Sequence, residues 1–139
     1  MIRFRRPSRP FWLAPPDDQE IDFYLKDVIK NYGQYIENLT PSECEKYSTF
    51  LNKDQILHVW DTITNSTIPL PMIVFDTSAN FTRMSNAERR ATVEKIYLDD
   101  YSFTTRFPYA PLLFDALGRY HPIEVCAFRM VKAQRDVPE

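Results

Sequence analysis

Residues 40–63 read TPSECEKYSTFLNKDQILHVWDTI, and this stretch decides the predicted fold class. Thr40 can cap a helix, Pro41 suits the first helical position, and Glu43 completes a capping box. The apolar side chains that follow recur at helical spacing: Cys44, Tyr47 and Leu51. The pattern predicts an amphipathic α-helix that begins at residue 41.

The second half of this stretch repeats the helical pattern. Asn52 offers a second cap, and four further apolar residues are spaced as on one helix face: Ile56, Val59, Trp60 and Ile63. We therefore expect Trp60 in the core. The pattern leaves open whether residues 41–63 form two helices or one bent helix.

The flanking sequence also predicts helices. Upstream, apolar residues recur from Ile21 to Ile36, and Gly33 weakens the last turn. Downstream, a capping box at residues 85–88 precedes Val93, Ile96 and Tyr97. Two later helices are predicted from Pro111 to Gly118 and from Pro122 onward, the latter with Ile123, Cys126 and Met130 on one face. The predicted fold class is mostly α, with five or six short helices.

Two segments interrupt this pattern. Residues 1–16 contain four prolines, which exclude a continuous helix, and four arginines without an acidic residue, although the whole chain has a net charge of −2. Residues 64–84 read as a long irregular loop with an apolar, Pro-rich stretch. The predicted organisation is an extended basic arm (1–16), one small helical domain (17–134) that contains this loop, and a polar tail (135–139).

The residues that carry chemistry are sparse. The chain has two glycines, which disfavours a phosphate-cradling loop, and two histidines, His58 and His121, that form no metal-binding motif. Cys44 and Cys126 stand in no paired motif and are expected to be reduced. We predict no catalytic, cofactor-binding or metal-binding residue, and hence no enzyme. The alternative is a small enzyme with an unmarked site built from His58, Asp61 and Cys44.

The two interrupted segments are the predicted partner-binding regions. The longest nearly apolar run, residues 68–75, is far shorter than the about 20 residues that a membrane-spanning helix needs, so no transmembrane segment is expected. The basic arm could also contact lipid headgroups. The residues predicted to bind other protein subunits are Arg3, Arg5, Arg6, Arg9, Phe11, Trp12, Leu13, Ile68, Leu70, Met72 and Phe75.

These features favour a non-catalytic accessory subunit of a multiprotein complex. The Arg-rich, acid-free arm has the charge bias of a mitochondrial transit peptide. The expected setting is therefore the mitochondrial inner membrane, with the protein peripheral to a respiratory-chain or ATP synthase complex and not secreted. A second hypothesis is a peripheral mitochondrial ribosomal protein whose four arginines bind rRNA; beyond that case, no nucleic acid partner is expected.

Overall fold

The computed structural model of the protein describes residues 19–85 and 90–132, and its fold is not mostly α. In this part of the chain, three short α-helices accompany nine strands in three antiparallel sheets. The predicted fold class of five or six helices is therefore wrong. The predicted arm and tail, residues 1–16 and 135–139, lie outside the described residues.

The helices are α1 (Leu25–Asn31), α2 (Pro41–Leu51) and α3 (Val93–Tyr101). The strands, in chain order, are β1 (Gln19–Tyr24), β2 (Ile56–Asp61), β3 (Ser66–Thr67), β4 (Met72–Val74), β5 (Arg83–Ser85), β6 (Arg90–Thr92), β7 (Leu112–Phe114), β8 (Tyr120–Pro122) and β9 (Cys126–Lys132). Two 3-10 turns span Ile36–Asn38 and Ile123–Val125. Of the helices in this part of the chain, none is long and apolar enough to cross a membrane.

The sheets join strands that are far apart in the chain. Sheet A has the strand order β1-β9-β2-β3, sheet B has the order β4-β7-β8, and β5 and β6 form a hairpin of their own. The central strand β9 pairs antiparallel with both of its neighbours, so Ala127 lies between Tyr24 and Trp60. Most of the pairing in sheet A therefore depends on contacts that no local sequence pattern specifies.

The second predicted helix of residues 52–63 is strand β2 instead, so residues 41–63 hold one helix and one strand. Trp60 is half-buried on the outer face of sheet A, where its ring stacks on His58 with 5.0 Å between ring centroids. Val59 and Asp61 point the other way and are buried. The prediction of a helical, core Trp60 is wrong because apolar residues at both 59 and 60 also fit a strand with both faces partly covered.

The last two predicted helices are also strands. Residues 112–114 form β7, and Gly118 adopts its positive φ of +84° in the turn after β7 rather than at a helix end. Cys126 and Phe128 lie in β9 with Ala127, a run of three consecutive buried residues. A strand that is covered on both faces does not alternate between apolar and polar residues. The apolar residues from Ile123 to Met130 therefore also fit helical spacing.

The first predicted helix is shorter than expected. Ile21 lies in β1, and α1 begins only at Leu25. It ends at Asn31, and Gly33 follows with a φ of +77°, which agrees with the end that its sequence position indicated. The predicted irregular loop of residues 64–84 also contains short strands, β3, β4 and most of β5.

The capping box that opens α2 is confirmed. Thr40 Oγ1 accepts a hydrogen bond from the Glu43 N–H at 3.1 Å, and the Glu43 carboxylate accepts one from the Thr40 N–H at 2.9 Å. The inner face of α2 is buried as predicted, by Cys44, Tyr47 and Leu51. This helix was predictable because its start signal and its apolar stripe are both local.

In α3, the three residues predicted to face inward are indeed buried: Val93, Ile96 and Tyr97. The start of the helix differs from the prediction. Thr92 is the N-cap, and its Oγ1 accepts a hydrogen bond from the Lys95 N–H at 3.2 Å. Residues 86–88 of the predicted capping box lie outside the described residues.

The core is centred on Phe128 in the middle of sheet A. Its ring stacks on Phe23 of β1 with centroids 5.5 Å apart, and it meets Phe50 of α2 edge-on at 5.4 Å. Phe128 therefore connects sheet A to the helical side of the molecule.

We predict that Phe128→Ala lowers the free energy of unfolding by about 3–5 kcal/mol, because it leaves a cavity between two other rings. Urea denaturation followed by tryptophan fluorescence would measure the loss. The control is Leu98→Ala. Leu98 is 46% exposed on α3, so this substitution should change the free energy of unfolding little. Equal stability of the two variants would contradict this description of the core.

Candidate functional site

Four polar side chains meet where sheet A, sheet B and α3 come together. His121 of β8 lies between two carboxylates: its Nδ1 is 2.8 Å from Asp61 Oδ2, and its Nε2 is 2.7 Å from Asp115 Oδ2. The Tyr97 hydroxyl of α3 donates a further hydrogen bond to Asp61 Oδ2. All four residues are buried, and we refer to them as the buried polar network.

Burial and hydrogen bonding have opposite effects on the pKa values of the two carboxyls in this network. Burial by itself raises the pKa of the Asp61 and Asp115 carboxyls, but hydrogen bonds from His121 and from backbone N–H groups outweigh burial and lower both pKa values. Ionised carboxylates only accept hydrogen bonds, so the His121 ring lies between two acceptors. Arg119 supplies a permanent cation, with Nε 2.9 Å from Asp115 Oδ2.

Each aspartate also closes the turn that follows it. Asp61 Oδ1 accepts the backbone N–H groups of residues 63 and 64 at 2.8 and 2.9 Å. Asp115 Oδ1 accepts those of Leu117 and Arg119 at 2.8 and 3.1 Å. Aspartates at the start of turns commonly make such bonds. In each carboxylate, one oxygen thus accepts backbone hydrogen bonds from its own turn, while the other contacts His121.

The buried polar network lies inside the fold. His121 is 2% exposed, so its ring is shielded from solvent. The thiol of the neighbouring Cys126 donates to the Pro122 carbonyl oxygen at 3.3 Å. Burial, and then the negative charges of Asp61 and Asp115, raise the pKa of this thiol, which therefore stays protonated.

The residues of the alternative enzyme hypothesis are not brought together. His58 lies on the outer face of β2, whereas Asp61 points inward from the same strand. Cys44 is buried in α2, and burial together with the charge of Glu43 raises its pKa to about 11. Within residues 19–85 and 90–132, no group of three His, Cys, Asp or Glu side chains could hold a metal ion.

Sequence reasoning missed the role of His121 and Asp115. His121 belongs to no recognisable motif in the sequence, and it lies in strand β8. The available signal was an aspartate at the start of each turn, in Asp61-Thr62-Ile63 and Asp115-Ala116-Leu117. That signal indicates turns, and it cannot indicate that the two turns share a histidine.

An exposed apolar turn, Pro69-Leu70-Pro71, lies beside this network. Leu70 is 73% exposed and has a φ of +49°, a left-handed conformation that is rare for a leucine. Both flanking carbonyls are fixed: Pro69 O accepts from the Ala116 N–H at 2.9 Å, and Pro71 O accepts from Asn52 Nδ2 at 2.9 Å. The turn is therefore held from both sides.

The network and the exposed turn are connected through the loop after β7. Ala116, which binds the Pro69 carbonyl, directly follows Asp115 in the chain. Arg119, paired with Asp115, donates from Nη2 to the Thr67 carbonyl oxygen at 2.6 Å. The position of the Leu70 turn thus depends on the buried polar network.

Sheet B continues this apolar surface. In its register Phe114 lies between Met72 and Tyr120, so the three side chains share one face, and the rings of Phe114 and Tyr120 are 4.7 Å apart. Leu117, in the loop that contacts the turn, is 69% exposed. We refer to Leu70, Met72, Phe114, Leu117 and Tyr120 as the apolar face.

The structure divides the predicted partner-binding residues into three groups. Leu70, Met72 and Phe75 are exposed, whereas Ile68 is 2% exposed and belongs to the core, so it is not available to a partner. The remaining seven lie outside the described residues: Arg3, Arg5, Arg6, Arg9, Phe11, Trp12 and Leu13.

No known family model matches the sequence, and no curated protein is significantly similar to it.

We predict that the buried polar network makes the fold acid-sensitive. Because the folded-state pKa values of Asp61 and Asp115 lie below their ordinary value of 3.8, their contribution to stability is present above that pH and is lost as the pH falls below it. Asp115→Asn should lower the free energy of unfolding at neutral pH by about 3–5 kcal/mol, since it leaves Arg119 without its anion and removes one of the two carboxylates that contact His121.

Urea denaturation over a range of pH values would test both statements. Asp115→Asn should also flatten the loss of stability at acid pH. The control is Asp54→Asn, which changes the same charge at an exposed position. If the free energy of unfolding falls equally steeply at acid pH in Asp115→Asn and in wild type, Asp115 is not linked to acid unfolding.

Proposed function

We propose that this protein is a non-catalytic structural subunit of a multiprotein complex, and that it binds a partner subunit through the apolar face. The observation that carries the proposal is Leu70, a largely exposed leucine held in a left-handed conformation. A left-handed leucine costs about 1–2 kcal/mol. Since the Leu70 side chain is mostly in solvent, it contributes little to the stability of the fold in return.

Preorganisation makes this turn suitable as a binding anchor. Two prolines restrict its backbone, and Asn52 and Ala116 fix the carbonyls on either side of Leu70. A backbone that is already fixed loses little conformational entropy on binding. Strained, well-supported backbone of this kind is typical of functional sites.

The composition of the apolar face favours a protein partner. Its five residues are two leucines, a methionine, a phenylalanine and a tyrosine, and none carries a charge. Aromatic residues and methionine are enriched at the centre of protein interfaces. The nearby cation Arg119 is engaged by Asp115 and the Thr67 carbonyl, so it is not presented to a polyanion.

The proposed setting is a respiratory-chain or ATP synthase complex of the mitochondrial inner membrane, with the protein at its periphery. The support is the composition of residues 1–16, which combine four arginines with no acidic residue. The same arginines also support the second candidate, a peripheral mitochondrial ribosomal protein. Electrostatic binding to rRNA would be strongly salt-dependent, whereas binding through the apolar face would not.

We predict that Leu70→Asn abolishes partner binding while the fold stays as stable as wild type. Asparagine adopts the left-handed conformation readily, so the turn is retained, but the apolar anchor is lost. The tagged protein would be isolated in mild detergent from the cells that produce it, and the mass of its complex measured on a native gel. Thermal denaturation would check stability.

The matched control is Leu98→Gln, which removes an exposed leucine from α3, away from the apolar face. It should keep the partner that Leu70→Asn loses. If Leu70→Asn retains the complex, the apolar face is not the interface. Co-migration with ribosomal particles that high salt disrupts would favour the ribosomal candidate instead.

A further inference from the structure

A groove of about 450 Å³ runs between α1 and α2. It is lined by Val28 of α1, by Tyr32 just after α1, by Thr49 and Phe50 of α2, and by two lysines, Lys46 and Lys53. This volume lies within the range of small-molecule sites. Tyr32 is 66% exposed, so one aromatic wall is open to a ligand.

α2 supplies most of these groups. Lys46, Thr49 and Phe50 share one face of the helix, and Lys53 follows two residues after the helix ends at Leu51. The groove therefore combines aromatic walls with two positive charges.

The two lysines are available to an anion. The Lys46 ammonium lies 5.1 Å from the ring centroids of both Tyr32 and Tyr47. Within residues 19–85 and 90–132, neither Lys46 nor Lys53 forms an ion pair with a carboxylate. The nearest acid along this face, Glu43, is engaged by Gln34 and by the Thr40 N–H.

We propose that the α1–α2 groove is a binding site for a flat aromatic anion, such as an aromatic carboxylate or sulfonate. The ring of the ligand lies against Tyr32 and Phe50, and its anionic group faces Lys46 or Lys53. Aromatic rings stack favourably on one another, and each lysine adds a charge-assisted contact. A polyphosphate fits less well, because the groove offers only two cations and its other walls are largely aromatic and aliphatic.

The test uses anilinonaphthalene sulfonate as the probe and phenylnaphthylamine, which lacks the sulfonate, as its uncharged counterpart. Fluorescence titration of the full chain should give saturable binding of the sulfonate at one site, with weaker binding of the amine. Amide NMR shifts should be confined to α1 and α2. Raising the ionic strength should weaken the binding of the sulfonate but not that of the amine.

Lys46→Gln and Lys53→Gln should each lower the affinity for the sulfonate by about two- to five-fold, the range expected of a solvent-accessible ion pair. The matched control is Lys30→Gln, which removes the same charge from the opposite side of α1, where Lys30 lines a different groove. Tyr32→Ala should weaken the binding of both probes. Because all four side chains are at the surface, these variants should fold.

Three outcomes would overturn the proposal. The first is no saturable binding of the sulfonate, and the second is equal affinity for the two probes, which would indicate an apolar patch only. The third is NMR shifts located on sheet B, which would mean that the probe occupies the apolar face. Since the apolar face is tested by complex formation, failure of one proposal does not imply failure of the other.

Discussion

The two hydrogen bonds from His121 to Asp61 and Asp115 hold the structure together. Asp61 belongs to sheet A and His121 to sheet B, Asp115 directly follows strand β7 of sheet B, and Tyr97 adds α3 to the same cluster. Charges buried at such a junction are stable only with all partners present, because an unpaired buried charge costs several kcal/mol. The two sheets and the helix therefore occupy one mutual arrangement, and a displacement of any of them would break a charged contact.

This internal constraint extends to the surface. Asp115 and Arg119 shape the loop after β7, and that loop fixes the carbonyls of Thr67 and Pro69. The strained Leu70 is thus supported by a buried electrostatic cluster on one side and by Asn52 of α2 on the other. The arrangement explains how a small domain can maintain an unfavourable backbone conformation in order to present an apolar side chain.

The two proposed surfaces use different physical chemistry. The apolar face lies on sheet B and the loops beside it and carries no charge, which suits burial against another protein. The groove between α1 and α2 combines aromatic walls with two separated lysines, which suits a small anion.

The sequence by itself determined the features whose cause is local. The capping box of Thr40 and Glu43 specifies the start of α2, and Gly33 indicates the end of α1, since both depend on neighbouring residues alone. The Pro-flanked Leu70 was also predicted from its sequence to contact a partner, and it is exposed in the structure. Whether a partner binds there stays a prediction.

Only the tertiary structure decided the strands and the buried polar network. β2 and β9 have apolar spacings that fit a helix, and they become strands because they pair with each other across a long separation in sequence. His121 likewise meets Asp61, 60 positions earlier, only after sheets A and B have packed. Hydrogen bonds and ion pairs between distant residues leave no periodic pattern in either segment, and so the sequence carries no signal for them until the fold brings the segments together.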